Sequence, residues 1–478
     1  MLITRDIINK KIVFEDKDPM SSETISSRGY TYDDLCKKID LYKNFLSNQN
    51  CKPGESVLIG YSPSLDQIAL FFATCELGMA VIINDYMRAD KFEDWNIVDT
   101  KTKIVGPINY FFHYGDDPKN PKQQFFNRNC DKCFSIDDVY KSSDFTPNIK
   151  ILAKETDIVM RCTSSGSTGT PKKVFHTHEF MYNISKRNSI FFDGVVGLAF
   201  NLNHGSSIAT YFIPSLMSIK VEKYINFNLV LDNDIQSHSN IKDRMKDMNH
   251  LMVPYFYFLE TLLAEHSFPN LSYYTLSPVD TKFKSDINKN KFKDIISFFG
   301  CNETSGPIFI NKLSSPNFRP ERFETIDDHY TIIDNNPLKV LLKEYGTVVN
   351  TEDKFDINED NSFEFKGKNN FIRINGEFIE KEIYDSIVSE FIEKDDSDMI
   401  YDTTRGRIYL AIWNDKYKKS LKEKIKKLND SLLNITHHRH NISKVAILRK
   451  NDFVLGVKLD HELLRVYFRE KVHFNDYI

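Results

Sequence analysis

Hydrophobic residues along the chain switch between two periods, and the switches mark out its elements. Across residues 30–50 (YTYDDLCKKIDLYKNFLSNQN), Leu35, Ile39, Tyr42 and Leu46 recur at helical spacing, which predicts a short strand leading into an amphipathic helix. Pro53–Gly54 marks a turn and SVLIGY a strand. The run from Ile68 to Ile83 reads as a buried helix (IALFFATCELG) passing into a buried strand (AVII). Strand, helix, strand is a βαβ rhythm and predicts an α/β fold. A further strand, DIVMRC, is read at 157–162, and a helix at Phe256–Ala264 after Pro254. The polar stretch 113–148, rich in Asn, Asp and Lys, reads as a long surface excursion, and 235–250 reads the same way.

Farther on, Phe355 and Ile357, then Phe363 and Phe365, alternate around Asn358–Asn361, a β-hairpin signal. GKNN (Gly367–Asn370) reads as a linker. The chain is therefore divided into a large domain at 1–366, a hinge at 367–370 and a small domain at 371–478 that mixes strands (IRING, RIYLAIW, VAILR) with a helix at 416–433. Leu421, Ile425, Leu428 and Leu432 give that helix an apolar face, opposite Lys416, Lys418, Lys419, Lys422, Lys424, Lys426 and Lys427. The basic face reads first as solvated, with the phosphates of CoA or an acidic carrier protein as the alternative contact.

Composition narrows the function classes. The 478 residues suit two or three domains, and 41% hydrophobic residues suffice for a large core. A net charge of -4, with 27% charged residues, argues against a nucleic-acid binder. The Ile68–Ile83 run contains Glu76 and Gly78 and falls short of a membrane span, and MLITRDIINKKIVFEDKD lacks the apolar core of a secretory signal. The expectation is a cytoplasmic protein. Seven scattered cysteines fit reduced thiols. Cys130 and Cys133 form a C-x-x-C without a second pair, and read as two thiols in a surface loop rather than as a zinc site.

The sharpest chemical signal is Ser164-Ser165-Gly166-Ser167-Thr168-Gly169-Thr170-Pro171-Lys172, placed directly after an apolar strand. Glycines let backbone N–H groups approach phosphate oxygens, hydroxyls donate to them, and Lys172 adds positive charge. No second glycine precedes the lysine, so this is not the loop of the common kinase and ATPase pattern. The run resembles the phosphate loop of the adenylate-forming superfamily, which includes acyl- and aryl-CoA synthetases, luciferases and adenylation domains. The resemblance continues in order along the chain through ELGMAVIIND, KKVFHTH, Phe299-Gly300-Cys301-Asn302-Glu303-Thr304, Thr351-Glu352-Asp353, Gly367-Lys368-Asn369-Asn370, IRINGEFIEKEI and Leu455-Gly456-Val457-Lys458-Leu459-Asp460.

The resemblance implies a role for each position. Ser165, Gly166, Ser167, Thr168, Gly169 and Lys172 would hold the β- and γ-phosphates of ATP. Phe299 would lie against adenine, Asn302 would donate to a phosphate oxygen, and Asp353 and Lys368 would meet the ribose. Glu303 would bind Mg²⁺, with Thr168 a second candidate ligand. Lys458 would sit between the carboxylate and the α-phosphate, and Asn369 would lie in the hinge. His204, in LNHGSS, is a candidate for the carboxylate pocket beside an ordinary structural role. Several positions depart from the family's pattern: Lys173 for Gly, Asn302 for Thr, Glu352 for Gly, Lys368 for Arg, Asn369 and Asn370 for hinge acids, SPVD at 277–280 for a small-residue run, and an extra residue between Gly456 and Lys458. Together they mark a diverged member.

The resulting expectation is an α/β enzyme with a large N-terminal adenylate-forming domain and a small, mobile C-terminal α+β lid. It would use ATP and Mg²⁺ to activate a carboxylic acid and pass the acyl group to a thiol, with CoA the favoured acceptor. A carrier protein as acceptor is the nearest alternative, and a degenerate nucleotide-binding member the second. No Asp stands near His204 to meet an α-amino group, which disfavours amino-acid substrates. Neither nucleic acid nor a membrane span is expected.

Overall fold

The apolar run at 68–83 becomes the most enclosed part of the molecule. In the computed structural model it forms the helix Leu65–Glu76 and the strand Ala80–Ile82, and all 12 residues of the helix are buried. The Ser64 side chain starts the helix by accepting from the Gln67 N–H. Each Leu, Ile or Phe buried this way contributes about 1.5–3 kcal/mol. Gly78, at φ +71, turns the chain out of the helix, and a Cβ there would sit 3.3 Å from both Asp157 and Pro53. The structure describes residues 1–17, 27–59, 64–83, 106–113, 129–142, 149–164, 172–198, 208–226, 245–252, 267–275, 292–304, 306–312, 314, 322–326, 330–343, 345–351, 353–368, 371–374, 377–402, 407–436, 441–455, 458–459 and 461–472.

The chain separates into two units. The first holds Met1–Ile333, Lys339–Thr351 and Ile357–Glu364; the second holds Asp334–Leu338, Glu352–Asp356 and Phe365–Ile478. In the first unit, one sheet orders its strands as Cys130–Ser135, Ile108–His113, Ser56–Ile59, Ala80–Ile82, Ile158–Ser164 and Lys172–Thr177, all parallel but the last. A second sheet runs from Ser27–Tyr30 and Val13–Lys17 through Val221–Asn226, Gly194–Leu198, His250–Met252 and Phe268–Thr275 to Phe292–Cys301, Gly306–Lys312 and Arg322–Thr325. One hydrophobic core joins both sheets through Leu65–Glu76, the helix Tyr32–Asn48 and the turn Ile208–Phe212. Leu35, Ile39, Tyr42 and Leu46 all lie in that core, as their spacing predicts.

Glu76 is fully buried at the end of its helix and holds four segments together. Arg5 donates to it from its backbone (3.0 Å) and from its guanidinium (2.8 Å), and also reaches Asp40 at 2.6 Å. Lys43 donates to the other Glu76 oxygen and to the Ile149 carbonyl, both at 2.7 Å. The Glu76 carbonyl accepts from the backbone of Leu152 and Ala153. Burial alone would raise the Glu76 carboxyl, but the hydrogen bonds and charges of Arg5 and Lys43 outweigh it and hold it below the ordinary value.

Two segments differ from their sequence reading. The polar stretch 113–148 is not one excursion, because it contains the strand Cys130–Ser135 and the helix Ile136–Lys141, the latter capped reciprocally by Ser135 and Asp138. Cys130 and Cys133 therefore lie in an edge strand and not in a loop. An edge strand has one neighbour and an open side, so polar residues are tolerated there and the sequence reads as loop. The predicted helix Phe256–Ala264 and most of 235–250 lie outside the described residues, but 235–250 ends in His250, which begins a strand between Gly194–Leu198 and Phe268–Thr275.

In the second unit, Ser397–Asp402, Arg407–Ile412 and Ile442–Ile447 form a sheet with period-two faces. Ile408, Leu410 and Ile412 pack against the helices Lys381–Phe391 and Leu421–Thr436, while Tyr409 and Ala411 pack against the helix His461–Glu470. The basic helix starts at Leu421 rather than 416, because Asn414 caps a separate tight turn, Asp415–Tyr417. Of its lysines, Lys424 donates to the Phe391 carbonyl and Lys427 pairs with Glu423. The hairpin predicted at 353–366, whose turn residues 357–364 belong to the first unit, forms: Asp353–Ile357 pairs with Phe363–Lys368 around Asn358–Asn361, where Asn361 takes φ 61.

The strand Phe292–Cys301 folds back on Gly306–Lys312 at very close range. A Cβ on Gly300 would lie 2.3 Å from the Gly306 carbonyl oxygen, and one on Gly306 would lie 2.8 Å from a methyl of Ile184. Backbone cannot yield as a side chain can. Gly300→Ala is therefore expected to lower the melting temperature by more than Gly306→Ala, with overpacking worth about 1–3 kcal/mol; equal losses in thermal melts would contradict this packing. Replacing Glu76 by Gln leaves Arg5 and Lys43 in the interior with only Asp40 opposite, at a cost of about 3–5 kcal/mol at pH 7. Because the folded Glu76 carboxyl titrates below its unfolded value, this stability is complete above the unfolded value of about 4.3 and is lost as pH falls through the folded one. Urea titrations of wild type and Glu76→Gln should converge as pH falls through that lowered folded value; a gap that stays constant from pH 7 downward would refute the assignment.

Candidate active site

Two strands bracket the phosphate-loop motif. Ile158–Ser164 leads in and Lys172–Thr177 leads out, antiparallel, with Ser164 opposite Lys172 and Thr163 opposite Lys173. Ser165, Gly166, Ser167, Thr168 and Gly169 lie outside the described residues, but both ends of their loop are fixed. Lys172 is the first residue of the returning strand. Lys173, where the family has Gly, is exposed, while Val174 and His176 are buried. The departure thus places a flexible cation in solvent.

The Glu303 motif meets those strands directly. Phe292–Cys301 ends in a single tight turn, Asn302–Thr304. The buried Thr304 hydroxyl accepts from the Cys301 N–H at 3.2 Å and lies within reach of the Cys301 and Gly306 carbonyls, at 3.0 and 2.8 Å, closing the turn on itself. The Asn302 amide donates to the Thr163 carbonyl at 2.7 Å, one residue before the loop strand ends. His176, on the other strand, meets the Asn302 carbonyl through Nε2 at 2.7 Å. Behind the turn, Arg187 of the helix His178–Asn188 donates to the Pro307 carbonyl at 2.8 Å.

Glu303 itself is half-buried and pairs with no cation among the described residues. Its negative charge reaches Cys162: burial first, and then Glu303, raise that thiol well above its usual value. A carboxylate beside the loop strand, with no cationic partner among the described residues, fits a hard divalent cation such as Mg²⁺. His176 is pulled down to about 4 by burial, against the opposing hydrogen bond to Asn302, so its ring is neutral. A carbonyl only accepts, which assigns the proton to Nε2.

The other predicted positions are spread over the chain. Phe299 is 3% exposed and packs against Phe309 and Phe323, with ring centroids 5.9 and 6.0 Å away. Tyr211 and Phe212 are wholly buried, and the Tyr211 hydroxyl donates to the Gly197 carbonyl. His204 and Asn369 lie outside the described residues. In the second unit, Asp353 is buried at the start of its strand. Lys368 ends its strand directly opposite Phe371, so only Asn369 and Asn370 connect the pair. Lys458 stands opposite Leu455 in a small antiparallel pair, Val454–Leu455 with Lys458–Leu459, and Gly456 and Val457 lie outside the described residues. Sequence reasoning passed over His176, Gly306 and Arg187. Nothing in KKVFHTH marked His176 in advance, since the exposed neighbour Phe175 is the apolar residue and the buried one is the histidine.

Residues 14–217 match a family model described as AMP-binding enzyme. No match was found among curated proteins. Among solved structures, a double mutant of o-succinylbenzoate CoA synthetase (MenE) from Bacillus subtilis, bound with the product analogue OSB-NCoA, is 12% identical with a TM-score of 0.65, covering 96% of each chain. The anthranilate CoA ligase AuaEII in complex with anthranoyl-AMP is 14% identical with a TM-score of 0.60, covering 97% of this chain and 96% of that one. McyG A-PCP complexed with phenylalanyl-adenylate is 15% identical with a TM-score of 0.57, covering 98% of this chain and 84% of that one. The chain has the fold of the adenylate-forming superfamily, and carries the AMP-binding enzyme match over residues 14–217.

Proposed function

We propose that the protein is an AMP-forming ligase that activates a carboxylic acid with ATP and passes the acyl group to a thiol, most favourably CoA. The observation that carries this reading is the Glu303 turn, fastened through Asn302 to the strand entering the phosphate loop. The turn carrying Glu303, a carboxylate suited to a divalent cation, is thereby tied to the strand that leads into the loop motif, which supports the two acting together. The two similar structures named as a CoA synthetase and a CoA ligase support CoA as acceptor. The A-PCP structure, together with the exposed Lys418, Lys419, Lys422 and Lys426, supports a carrier protein as the second reading.

In the proposed reaction a carboxylate oxygen attacks the α-phosphorus and the bond to pyrophosphate breaks. The thiol sulfur then attacks the acyl carbon, and AMP leaves with the oxygen it gained. Ser165–Gly169 and Lys172 would hold the β- and γ-phosphates, Phe299 would lie against adenine, and Asp353 and Lys368 would meet the ribose. His204 would face the carboxylate. Glu303, with Thr168 beside it, would hold Mg²⁺, which when bound offsets the charge crowding on the phosphate oxygens. Lys458 would meet the carboxylate and α-phosphate oxygens in the first half-reaction alone.

Purified protein should release pyrophosphate from ATP only with Mg²⁺ and a suitable acid, with hydroxylamine trapping the activated acyl group across an acid panel. Neither release nor ATP binding would end the enzyme reading, whereas binding without turnover would favour a degenerate binder. Glu303→Gln should stay folded and lose about a hundredfold or more in turnover; an unchanged rate and unchanged Mg²⁺ dependence would reject its role. Lys458→Ala should abolish adenylation yet still convert pre-made acyl-adenylate and thiol to product near the normal rate. Normal adenylation by this variant would show that the catalytic lysine lies elsewhere.

A further inference from the structure

We propose that His176 is a positioning residue for Glu303, acting through the Asn302 carbonyl to fix the metal-binding turn against the strand that leaves the phosphate loop. This rests on the reading of Glu303 above. The grip on Asn302 is two-sided. Its amide donates to Thr163 on the entering strand, and its carbonyl accepts from His176 on the leaving strand, each at 2.7 Å. The two strands are paired to each other, with Thr163 opposite Lys173. Asn302 is therefore tied to a rigid frame at two points, and Glu303 is the next residue.

The imidazole is itself held. It lies parallel to Phe180, 5.0 Å between centroids and 8° between planes, and Phe180 packs edge-on against Tyr345 at 4.9 Å. His176 is 3% exposed, so a carbonyl deprived of it would have little access to water. Burial keeps the ring neutral at physiological pH, which preserves the single Nε2–H donor that the carbonyl needs. A carboxylate that drifts by even an ångström would hold a divalent cation less well, because ligation depends on where the ligand oxygens sit.

Two variants separate donor from ring. His176→Phe keeps the aromatic stack on Phe180 and removes the donor. His176→Gln loses the stack and restores an N–H close to the Nε2 position. In the phenylalanine variant the Mg²⁺ concentration for half-maximal pyrophosphate release should rise about tenfold while the KM for the acid moves less than about twofold, and the glutamine variant should recover most of the loss. Hydrogen exchange, read on the peptide spanning 299–306, should accelerate in His176→Phe and leave distant peptides unchanged. An unchanged Mg²⁺ dependence in a folded His176→Phe protein would overturn the proposal, as would accelerated exchange throughout the unit or no recovery with glutamine. If the wild type releases no pyrophosphate with any acid, the ligase reading fails, and the exchange measurement alone decides whether His176 holds the turn.

Discussion

A carboxylate buried at the end of an apolar helix needs cations, and satisfying Glu76 organises much of the first unit. Arg5 and Lys43 supply two positive charges, and Asp40 balances the second. The group is neutral in sum and nearly all its oxygens accept hydrogen bonds, which is the condition for keeping ions away from water. Because its members come from the chain's beginning, from two helices and from the stretch around Ile149, the cluster fixes how these segments meet. The last of them runs, through Leu152 and Ala153, into the strand that carries the phosphate loop. A cluster distant from the chemistry thus sets where the loop strand starts.

At the other end of that strand the structure uses side chains to join what backbone pairing leaves apart. The loop hairpin belongs to one sheet and the Glu303 turn closes a strand of the other. Asn302 and His176 bridge them. The Asn302 side chain supplies the amide that braces the turn to the Thr163 carbonyl. Close approach finishes the turn: Gly300 leaves no room for a Cβ against the Gly306 carbonyl of the paired strand, and Gly306 none against Ile184.

The second unit has its own core, with the period-two faces of its sheet covered by helices on both sides. Asp353, Lys368 and Lys458 lie on it, apart in sequence from the loop and from Glu303. Its ionic groups are also internally settled, as with Asp402, which takes Arg469 and the Tyr409 hydroxyl. Lys418, Lys419, Lys422 and Lys426, by contrast, are exposed and form no ion pair among the described residues.

By itself the sequence determined whatever depends on short-range pattern. The helix Leu65–Glu76 and its following strand are legible because a stretch so dense in apolar residues is stable only when buried. Leu35, Ile39, Tyr42 and Leu46 predict one face of one helix, and the hairpin at 353–366 follows from alternation around a turn that suits Asn361. The phosphate-loop motif and the family resemblance were legible too, since they are strings of residue types in order. Tertiary structure decided the rest. Cys130–Ser135 became a strand because a neighbouring strand was there to pair with it, although its own composition is polar. The contact from Arg5 to Glu76 spans 71 residues, from His176 to Asn302 126, and from Thr163 to Asn302 139. No periodicity encodes such pairs. A buried His or Asn finds its partner only when the sheets have packed, because hydrogen bonding depends on positions within a few tenths of an ångström, and the chain between them sets no such distance.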